Sequence, residues 1–259
     1  MILTIDVGNT NIVLGCVEGK TVKSISRMAT NTSDLSADYA LKMLQSFEFD
    51  GVDYKKFDGA ILSSVVPQVN RAVMGAVKKL TGLDCMVVGA GLKTGVNIKI
   101  DDPGTIAGDL ITGVVGALAL YEPPLIVIDM GTATTMIVVD EEGSYIGGAI
   151  MPGVVLSYSA LSAGTSLLPN ISIEAPKKCT ATNTVDSMRS GAVFGAAAML
   201  DGMIDRMEEE LGQSTTVVAT GGISGRIVPY CKREIKHDPD LLLKGLAILY
   251  QKNAKPKKK

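Results

Sequence analysis

The sequence of 259 residues contains no tryptophan, one histidine and few aromatic residues, at 4% of the chain. It also lacks an excess of positive charge, since lysine and arginine total 25 against 27 aspartate and glutamate residues. Because nucleic-acid binding depends on a basic surface that displaces counterions, this balance argues against a nucleic-acid ligand. The one basic cluster is the C-terminal run KNAKPKKK, which we interpret as a solvated tail.

Metal-binding and nucleophilic side chains are scarce as well. The four cysteines are scattered without a Cys-x-x-Cys pair, and the single histidine, His237, stands in the polar segment KREIKHDPD. A structural zinc site is therefore not expected. A Ser-His-Asp or Cys-His triad would have to use His237, which we interpret as a surface residue instead. The chemistry must then depend on carboxylates, hydroxyls, backbone amides and bound ions.

Neither a secretory signal nor a membrane span is predicted. The N-terminal run MILTIDVGNT reaches an acidic residue without a preceding basic segment, which indicates a cytoplasmic protein. Residues 143–173 carry no charge, but proline, glycine and serine interrupt them, unlike a membrane helix of about 20 mostly apolar residues. We predict a buried, glycine-rich loop and strand region near a ligand there.

Two segments of the chain share one pattern. Residues 2–19 are ILTIDVGNTNIVLGCVEG, and residues 125–143 are LIVIDMGTATTMIVVDEEG. In each, an apolar run ends in Asp-x-Gly and a second β-branched run follows, which is typical of a β-hairpin. We infer a duplicated chain whose halves each begin with a hairpin.

Alternating strands and helices are predicted after each hairpin. The first half has a third strand at 21–27, a helix at 36–47, a strand at 59–66 and a helix that begins at Pro67. The second half has a third strand to about residue 150, a helix at 185–211, the strand TTVVATGG and a helix from Asp240. This order predicts two α/β domains with mixed sheets.

The segment DVGNTN at residues 6–11 has a composition suited to phosphate binding. Glycine and small polar residues between two strands let backbone amides approach an anion, and Asp6 would hold a divalent cation directly or through water. The alternative is a tight hairpin in which the aspartate bonds to its own turn. A second copy, DMGTATT, and a third small-residue turn, ATGG at 219–222, favour phosphate.

Asp109 lies within the segment DDPGTIAGDLITGVVGALALY, in the first turn or two of a predicted helix. The predicted buried stripe of this helix consists of Ile111, Val114, Val115 and Leu118. An acidic residue near a helix N-terminus often only offsets the helix dipole. On residue type alone, Asp109 is therefore assigned a structural role.

The three glycine turns resemble, in order, the phosphate-1, phosphate-2 and adenosine motifs of the acetate kinase, sugar kinase, Hsp70 and actin superfamily. Over nearly the whole chain, further motifs are similar to those of type III pantothenate kinases. In order, they are DVGNTN, IDMGTATT, GGAIMPG, LSAGTSLLP, NTVDSMRSGAVFG, ATGG and DLLLKGL. The resemblance implies two duplicated ribonuclease-H-like domains of the actin-like ATPase fold, with mixed sheets and a cleft between them. Residues 1–118 would carry the phosphate-1 motif, and residues 119–259 the phosphate-2 and adenosine motifs.

The resemblance also implies an activity. Type III pantothenate kinases phosphorylate the primary hydroxyl of pantothenate to 4'-phosphopantothenate from ATP, the first step of coenzyme A biosynthesis. They use Mg²⁺ and a monovalent cation such as K⁺ or NH₄⁺. Members of the family are usually homodimers in which the pantothenate site lies near the subunit interface.

Residue roles are implied position by position. Asp109 matches the general base, which replaces the structural assignment above, and Asp129 matches the ligand of the monovalent cation. Contacts with the ATP phosphates are implied for Asp6, Val7, Gly8, Asn9, Thr10, Asn11, Ile12, Val13 and, from the second domain, Thr132. Contacts with pantothenate are implied for Ala107, Gly108, Asp109, Leu110 and Thr184.

The sequence departs from the family at the acceptor site. Members commonly have GADR followed two residues later by asparagine, whereas residues 107–110 are AGDL here and residue 113 is glycine. Ile100 replaces a frequent tyrosine, and Met136-Ile137 replace a usual Phe-Asp. With no arginine at position 110, Lys99 is the candidate cation for the pantothenate carboxylate. Two alternatives therefore remain open: a weak or inactive paralogue with an accessory or regulatory role, and a kinase for another small hydroxyl acceptor.

Overall fold

The computed structural model describes residues 1–254, so residues 255–259 of the predicted basic tail lie outside the described part of the chain. The strands are β1 (Ile2–Val7), β2 (Asn11–Glu18), β3 (Thr21–Ala29), β4 (Gly59–Ser64), β5 (Cys85–Val87), β6 (Leu125–Met130), β7 (Ala133–Val139), β8 (Tyr145–Pro152), β9 (Thr216–Thr220) and β10 (Lys236–His237). The helices are α1 (Ser36–Phe49), α2 (Pro67–Thr81), α3 (Gly108–Leu118), α4 (Val154–Ala163), α5 (Thr184–Ser190), α6 (Ala196–Leu211), α7 (Ser224–Ile227) and α8 (Leu241–Asn253).

The chain folds as two compact units that are not continuous in sequence. Among the described residues, the first contains 1–96, 102–119 and 240–254, and the second contains 97–101 and 120–239. The predicted division after residue 118 assigned α8 to the second domain, whereas α8 belongs to the first unit. Its apolar residues Leu246 and Leu249 form a buried cluster with Ile61 of β4, which accounts for this position.

The sheet of the first unit has the strand order β3-β2-β1-β4-β5. The strands β1, β2 and β3 pair antiparallel, and β4 and β5 extend the sheet in parallel pairing from β1. In this register Asp6 lies opposite Val13 on one side and Ser63 on the other. Asp6 and Ser63 are therefore neighbours near the carboxyl ends of β1 and β4.

The second unit repeats this arrangement strand for strand. Its order is β10-β9-β6-β7-β8, with β6, β7 and β8 antiparallel and with β9 and β10 parallel to β6. Asp129 takes the place of Asp6 and lies opposite Thr135 and Thr220. The repeated mixed sheets confirm the predicted duplication and the α/β class.

Strand alternation separates a core face from a polar face in the first sheet. Ile5 and Val7 point into a buried core that includes Val69, Val73 and Ala76 of α2. Since successive side chains of a strand alternate between faces, Asp6 points to the opposite face. The predicted start of α2 at Pro67 is confirmed.

Two glycines let α3 and α8 approach each other closely on that opposite face. A Cβ atom on Gly245 would lie 2.2 Å from the Thr112 carbonyl oxygen, and one on Gly116 would lie 2.7 Å from the Leu241 carbonyl oxygen. Backbone therefore packs against backbone at both positions, which real Cβ atoms would prevent. This packing fixes the position of α3, the helix that carries Asp109.

The predicted long helix at 185–211 is present but not uniform. It consists of α5, a π-helical turn at Gly191–Gly195 and α6. A Cβ atom on Gly191 would lie 2.4 Å from the Tyr158 hydroxyl, so the π turn brings the backbone against that side chain. Such π turns often occur at functional sites.

The prediction for residues 143–173 is wrong in two respects. The predicted strand is present as β8, but the helix α4 at Val154–Ala163 occupies part of the predicted loop. It is also largely exposed rather than buried, with Leu167 90% and Ile150 72% exposed. The lack of charge thus marks an apolar surface. Among residues 1–254, no helix is long and apolar enough to cross a membrane.

Candidate functional site

The turn between β1 and β2 is short, polar and anchored. The Gly8 N–H donates to the Asn11 carbonyl at 3.0 Å, and the Thr30 hydroxyl donates to the Gly8 carbonyl at 2.7 Å. Asn9, Thr10 and Asn11 are exposed. The predicted phosphate-binding segment is thus a fixed turn that presents small polar residues to solvent, as an anion-binding turn requires.

The turn between β6 and β7 repeats this geometry in the second unit. The Gly131 N–H donates to the Ala133 carbonyl at 2.9 Å, and the Thr132 carbonyl accepts from the Gly153 N–H at 3.0 Å. Thr132 is exposed. The two predicted phosphate turns therefore have the same place in their sheets.

Asp109 is the second residue of α3 and is half-buried. Its Oδ1 accepts from the Leu110 backbone N–H at 2.8 Å. Burial raises the pKa of the Asp109 carboxyl above its ordinary value, and the hydrogen bond from the Leu110 amide acts in the opposite direction. A carboxylate made more basic by its surroundings suits a general base.

The start of α3 lies directly on β4. A Cβ atom on Gly108 would lie 3.1 Å from the Ser63 hydroxyl and 3.3 Å from a Val88 methyl group, so only a small residue fits easily here. Asp6 and Ser63 are register partners in neighbouring strands. The first unit therefore places Ser63 between the predicted phosphate-site aspartate and the helix of the predicted base.

Buried hydroxyl groups without a hydrogen-bond partner accompany both strand-end aspartates. Within the described residues these are Ser63 opposite Asp6, and Thr135 and Thr220 opposite Asp129. Among residues 1–254, no three or more histidine, cysteine, aspartate or glutamate side chains form a cluster that could hold a metal ion. A cation at either aspartate would thus use one carboxylate, neutral oxygens and water, a ligand set that hard cations accept.

The third glycine turn contacts Asp129 directly. Gly221 follows β9 with a φ of +95°, and a Cβ atom there would lie 2.4 Å from Asp129 Oδ1. Ser224 closes this turn, because its hydroxyl donates to the Gly221 carbonyl at 2.6 Å. The Ser224 hydroxyl also lies 2.9 Å from Nε2 of His237, which is exposed as predicted.

Thr184 begins α5 beside an open cavity of about 600 Å³. Such a volume lies within the range of roughly 300–1,000 Å³ that is common for small-molecule sites. Its lining includes Tyr158, Leu161, Leu168, Thr182, Thr184 and Met188. Burial raises the pKa of the Tyr158 hydroxyl above its ordinary value, so that group stays protonated as a donor.

Lys99, the sequence candidate for a compensating cation, is already engaged. Its ammonium group lies 2.8 Å from both Asp140 Oδ2 and Glu142 Oε2 in the second unit. Both hydrogen bonds raise the pKa of Lys99, and the one to Asp140 has the largest effect. The ammonium group thus stabilises the turn between β7 and β8.

Ser63, Thr135 and Thr220 were not predicted from the sequence as candidate site residues. Their proximity to the aspartates depends on strand pairing between distant segments, which no local pattern reveals. Tyr158 was missed because its segment was predicted as a loop. The signal for Tyr158 was present in the hydroxyl-rich run VLSYSALSAGTS that precedes Thr184.

The duplicated sheets and their glycine turns define the class of the protein, the actin-like ATPase fold. The structure is similar to component A of (R)-2-hydroxyglutaryl-CoA dehydratase from Acidaminococcus fermentans, with a TM-score of 0.56 and 18% identity over 98% of this chain and 99% of that one. It is also similar to the activator of 2-hydroxyisocaproyl-CoA dehydratase from Clostridium difficile with bound ADPNP, with a TM-score of 0.54 and 12% identity over 100% and 99% of the chains. At these identities the likeness concerns the fold alone.

Sequence comparison identifies the family. The family model of type III pantothenate kinase matches residues 2–206. The chain is also 40% identical over 253 residues to the type III pantothenate kinase of Halalkalibacterium halodurans, with 98% of this chain and 100% of the relative covered. The chain therefore belongs to the type III pantothenate kinase family, which confirms the predicted family and the predicted enzyme class, a kinase.

Proposed function

We propose that this protein phosphorylates the primary hydroxyl of pantothenate with ATP as the donor, the first step of coenzyme A biosynthesis. The observation that carries the proposal is Asp109, a half-buried carboxylate with a raised pKa at the start of α3. It supports the role of general base in a family of kinases. No observation favours an inactive paralogue.

The ATP phosphates are assigned to the two glycine turns. In the first unit, residues 6–13 supply the polar turn and its amides, and in the second unit Thr132 supplies an exposed hydroxyl. Phosphoryl transfer depends mainly on positioning and on neutralising charge, so these groups and one base suffice. The histidine of the chain is not required.

Asp109 would act on the acceptor hydroxyl. As the bond from the hydroxyl oxygen to the γ-phosphorus forms and the bond from that phosphorus to the ADP oxygen breaks, the hydroxyl proton passes to the Asp109 carboxylate. The raised pKa makes the ionised carboxylate a better proton acceptor. The products are the phosphate ester and ADP.

The residues at both strand-end aspartates fit cations. Mg²⁺ would be held directly or through water at Asp6, where the buried Ser63 hydroxyl lacks a partner among the described residues, and would offset phosphate charge. A monovalent cation would be held at Asp129. The side chains offer one carboxylate at each place, with one hydroxyl oxygen beside Asp6, from Ser63, and two beside Asp129, from Thr135 and Thr220.

The acceptor is assigned to residues 107–110 and Thr184. Thr184 and Tyr158 line the cavity of about 600 Å³ and offer hydroxyl groups to the polar acceptor. Leu110 offers no charge to the pantothenate carboxylate. We therefore expect weaker pantothenate binding than in a relative with arginine at this position.

A homodimer is part of the proposal, and the apolar surface of β8 and α4 supports it. Val155, Leu156 and Leu161 are 53%, 50% and 41% exposed, and Leu161 also lines the cavity. Several large apolar side chains exposed on one short helix are typical of a surface that another protein covers. A Leu156→Glu variant should sediment as a monomer, and a dimer of unchanged affinity would refute this interface.

A cytoplasmic location completes the proposal. The reaction consumes ATP, and all four cysteines are free thiols, which is usual in a reducing compartment.

Replacing the base tests the mechanism. Asp109→Asn should reduce turnover by at least about a hundredfold, the usual scale for loss of a general base, while ATP binding measured by calorimetry survives. The matched control is Asp84→Asn, which removes an exposed carboxylate that pairs with Lys78 on the surface. Undiminished turnover of the Asp109→Asn enzyme would contradict the assignment.

A further inference from the structure

Two threonine hydroxyls flank Asp129 on the same sheet face. Thr135 of β7 lies directly opposite Asp129 in antiparallel pairing, and Thr220 of β9 lies directly opposite it in parallel pairing. Paired residues of neighbouring strands share a face, with Cβ atoms roughly 4.5–5.5 Å apart in an antiparallel pair. This face is opposite to the core that contains Ile128 and Ala219.

Neither hydroxyl has a hydrogen-bond partner within residues 1–254, although both oxygen atoms are buried. Thr220 as a whole is only 1% exposed. Buried polar groups nearly always have partners, so two orphaned hydroxyls on either side of one carboxylate require an explanation. The Gly221 backbone also approaches this carboxylate, since a Cβ atom on Gly221 would lie 2.4 Å from Asp129 Oδ1.

Asp129, Thr135 and Thr220 together form a site of oxygen atoms with little net charge. It offers one carboxylate and two neutral oxygens, and the described residues provide no cluster of further acids, cysteines or histidines. Oxygen donors with little net charge suit a hard cation of low charge rather than a transition metal. In the first unit the residue opposite Asp6 in the hairpin is Val13, so that aspartate has one such hydroxyl, on Ser63, instead of two.

We propose that the hydroxyl oxygens of Thr135 and Thr220 are ligands of the monovalent cation at Asp129. This inference rests on the cation requirement in the proposed function. It assigns two ligands that the family resemblance did not supply. It also explains why both hydroxyls are left without a protein partner.

The test measures cation binding by stability rather than by activity. The thermal midpoint of the ADP complex is titrated with K⁺ against tetramethylammonium at constant ionic strength, for wild type, Thr135→Val and Thr220→Val. Each valine keeps the shape and removes the oxygen. The K⁺ concentration for half of the midpoint shift should rise about tenfold or more, as for loss of one strong polar contact to an ion.

Thr134→Val is the matched control. Thr134 is also fully buried with an orphaned hydroxyl, but it neighbours Thr135 on the strand and therefore points to the other face. Its K⁺ titration should match that of wild type. Thr220→Ser, which keeps the oxygen, should match it too, and Thr220→Cys, which offers K⁺ a soft sulfur instead, should not.

Asp129→Asn separates this inference from the proposed function. If Asp129→Asn loses the K⁺ response while both valine variants keep the wild-type response, the threonine ligands are refuted and the cation site at Asp129 stands. If Asp129→Asn keeps the response, or if wild type has none, the cation site itself is wrong.

Discussion

Leu110→Arg tests whether the acceptor site is weakened by the absence of a cation. Leu110 is half-buried and directly follows Asp109 at the start of α3. A guanidinium at this position would form two parallel charge-assisted hydrogen bonds with the pantothenate carboxylate, an interaction of about 1.5–3 kcal/mol. At about 1.4 kcal/mol per factor of ten, the KM for pantothenate should fall roughly ten- to a hundredfold.

No compensation from Lys99 is expected. Its ammonium group is held at 2.8 Å by both Asp140 and Glu142, so moving it to the acceptor would break both contacts. The gain from Leu110→Arg should therefore be close to the full value of the new interaction.

The assay is steady-state kinetics with each substrate varied in turn. The KM for ATP should stay nearly unchanged, because the phosphate turns do not include residue 110. Leu110→Met, which is similar in size and uncharged, is the control. Both enzymes are compared at a pH where Asp109 is fully ionised, since a neighbouring arginine also lowers the pKa of that carboxyl. Tight pantothenate binding by wild type that Leu110→Arg makes worse would refute the reasoning.

Three further predictions concern the base and its helix. Burial raises the pKa of Asp109, and a general base must be ionised, so kcat/KM should fall as the pH decreases through that raised pKa. A pH-rate profile with no inflection above the ordinary aspartate pKa of about 4 would contradict this. Because the pKa of Asp109 is higher in the folded than in the unfolded state, folding stability is lost as the pH rises from the unfolded-state pKa to the folded-state pKa. Asp109→Asn should therefore have a thermal midpoint at pH 7 equal to or higher than that of wild type. A clearly lower midpoint would disprove the burial argument. Gly245→Ala places a Cβ atom 2.2 Å from the Thr112 carbonyl oxygen and should lower the free energy of unfolding, measured with denaturant, by about 1–3 kcal/mol or more. Gly89→Ala, whose Cβ atom would have no atom within 4 Å, should leave it nearly unchanged. Equal stabilities of the two variants would refute the close packing of α3 on α8.

Local pattern was sufficient for the hairpins and the amphipathic helices. The repeated Asp-x-Gly between β-branched runs predicted β1–β2 and β6–β7, and the helix predicted from Pro67 is α2, in which Val69 and Val73 are buried. These elements form from signals within a few residues. Their place in two equivalent sheets followed from the repeat.

The region around α4 was mispredicted because its composition contradicts its structure. The helix consists of VVLSYSALSA, in which β-branched residues and serines lower helix propensity, and its apolar side chains are exposed. Lack of charge was taken to indicate burial within the chain. An uncharged surface that another protein covers has the same composition.

The sequence alone also did not predict which distant segments of the chain pack together. The membership of α8 in the first unit depends on Gly116 and Gly245, whose close approach to backbone is visible only in three dimensions. The hydroxyls of Ser63 and Thr220 meet the aspartates through parallel pairing between distant strands. The resemblance supplied Asp109, but its raised pKa required knowledge of its burial.

The most direct test of the central claim is ADP release from ATP with and without pantothenate, together with mass spectrometry of the acceptor. We expect ADP formation that depends on pantothenate and matches the amount of phosphorylated pantothenate one to one. ATP binding without any pantothenate-dependent release of ADP would contradict it.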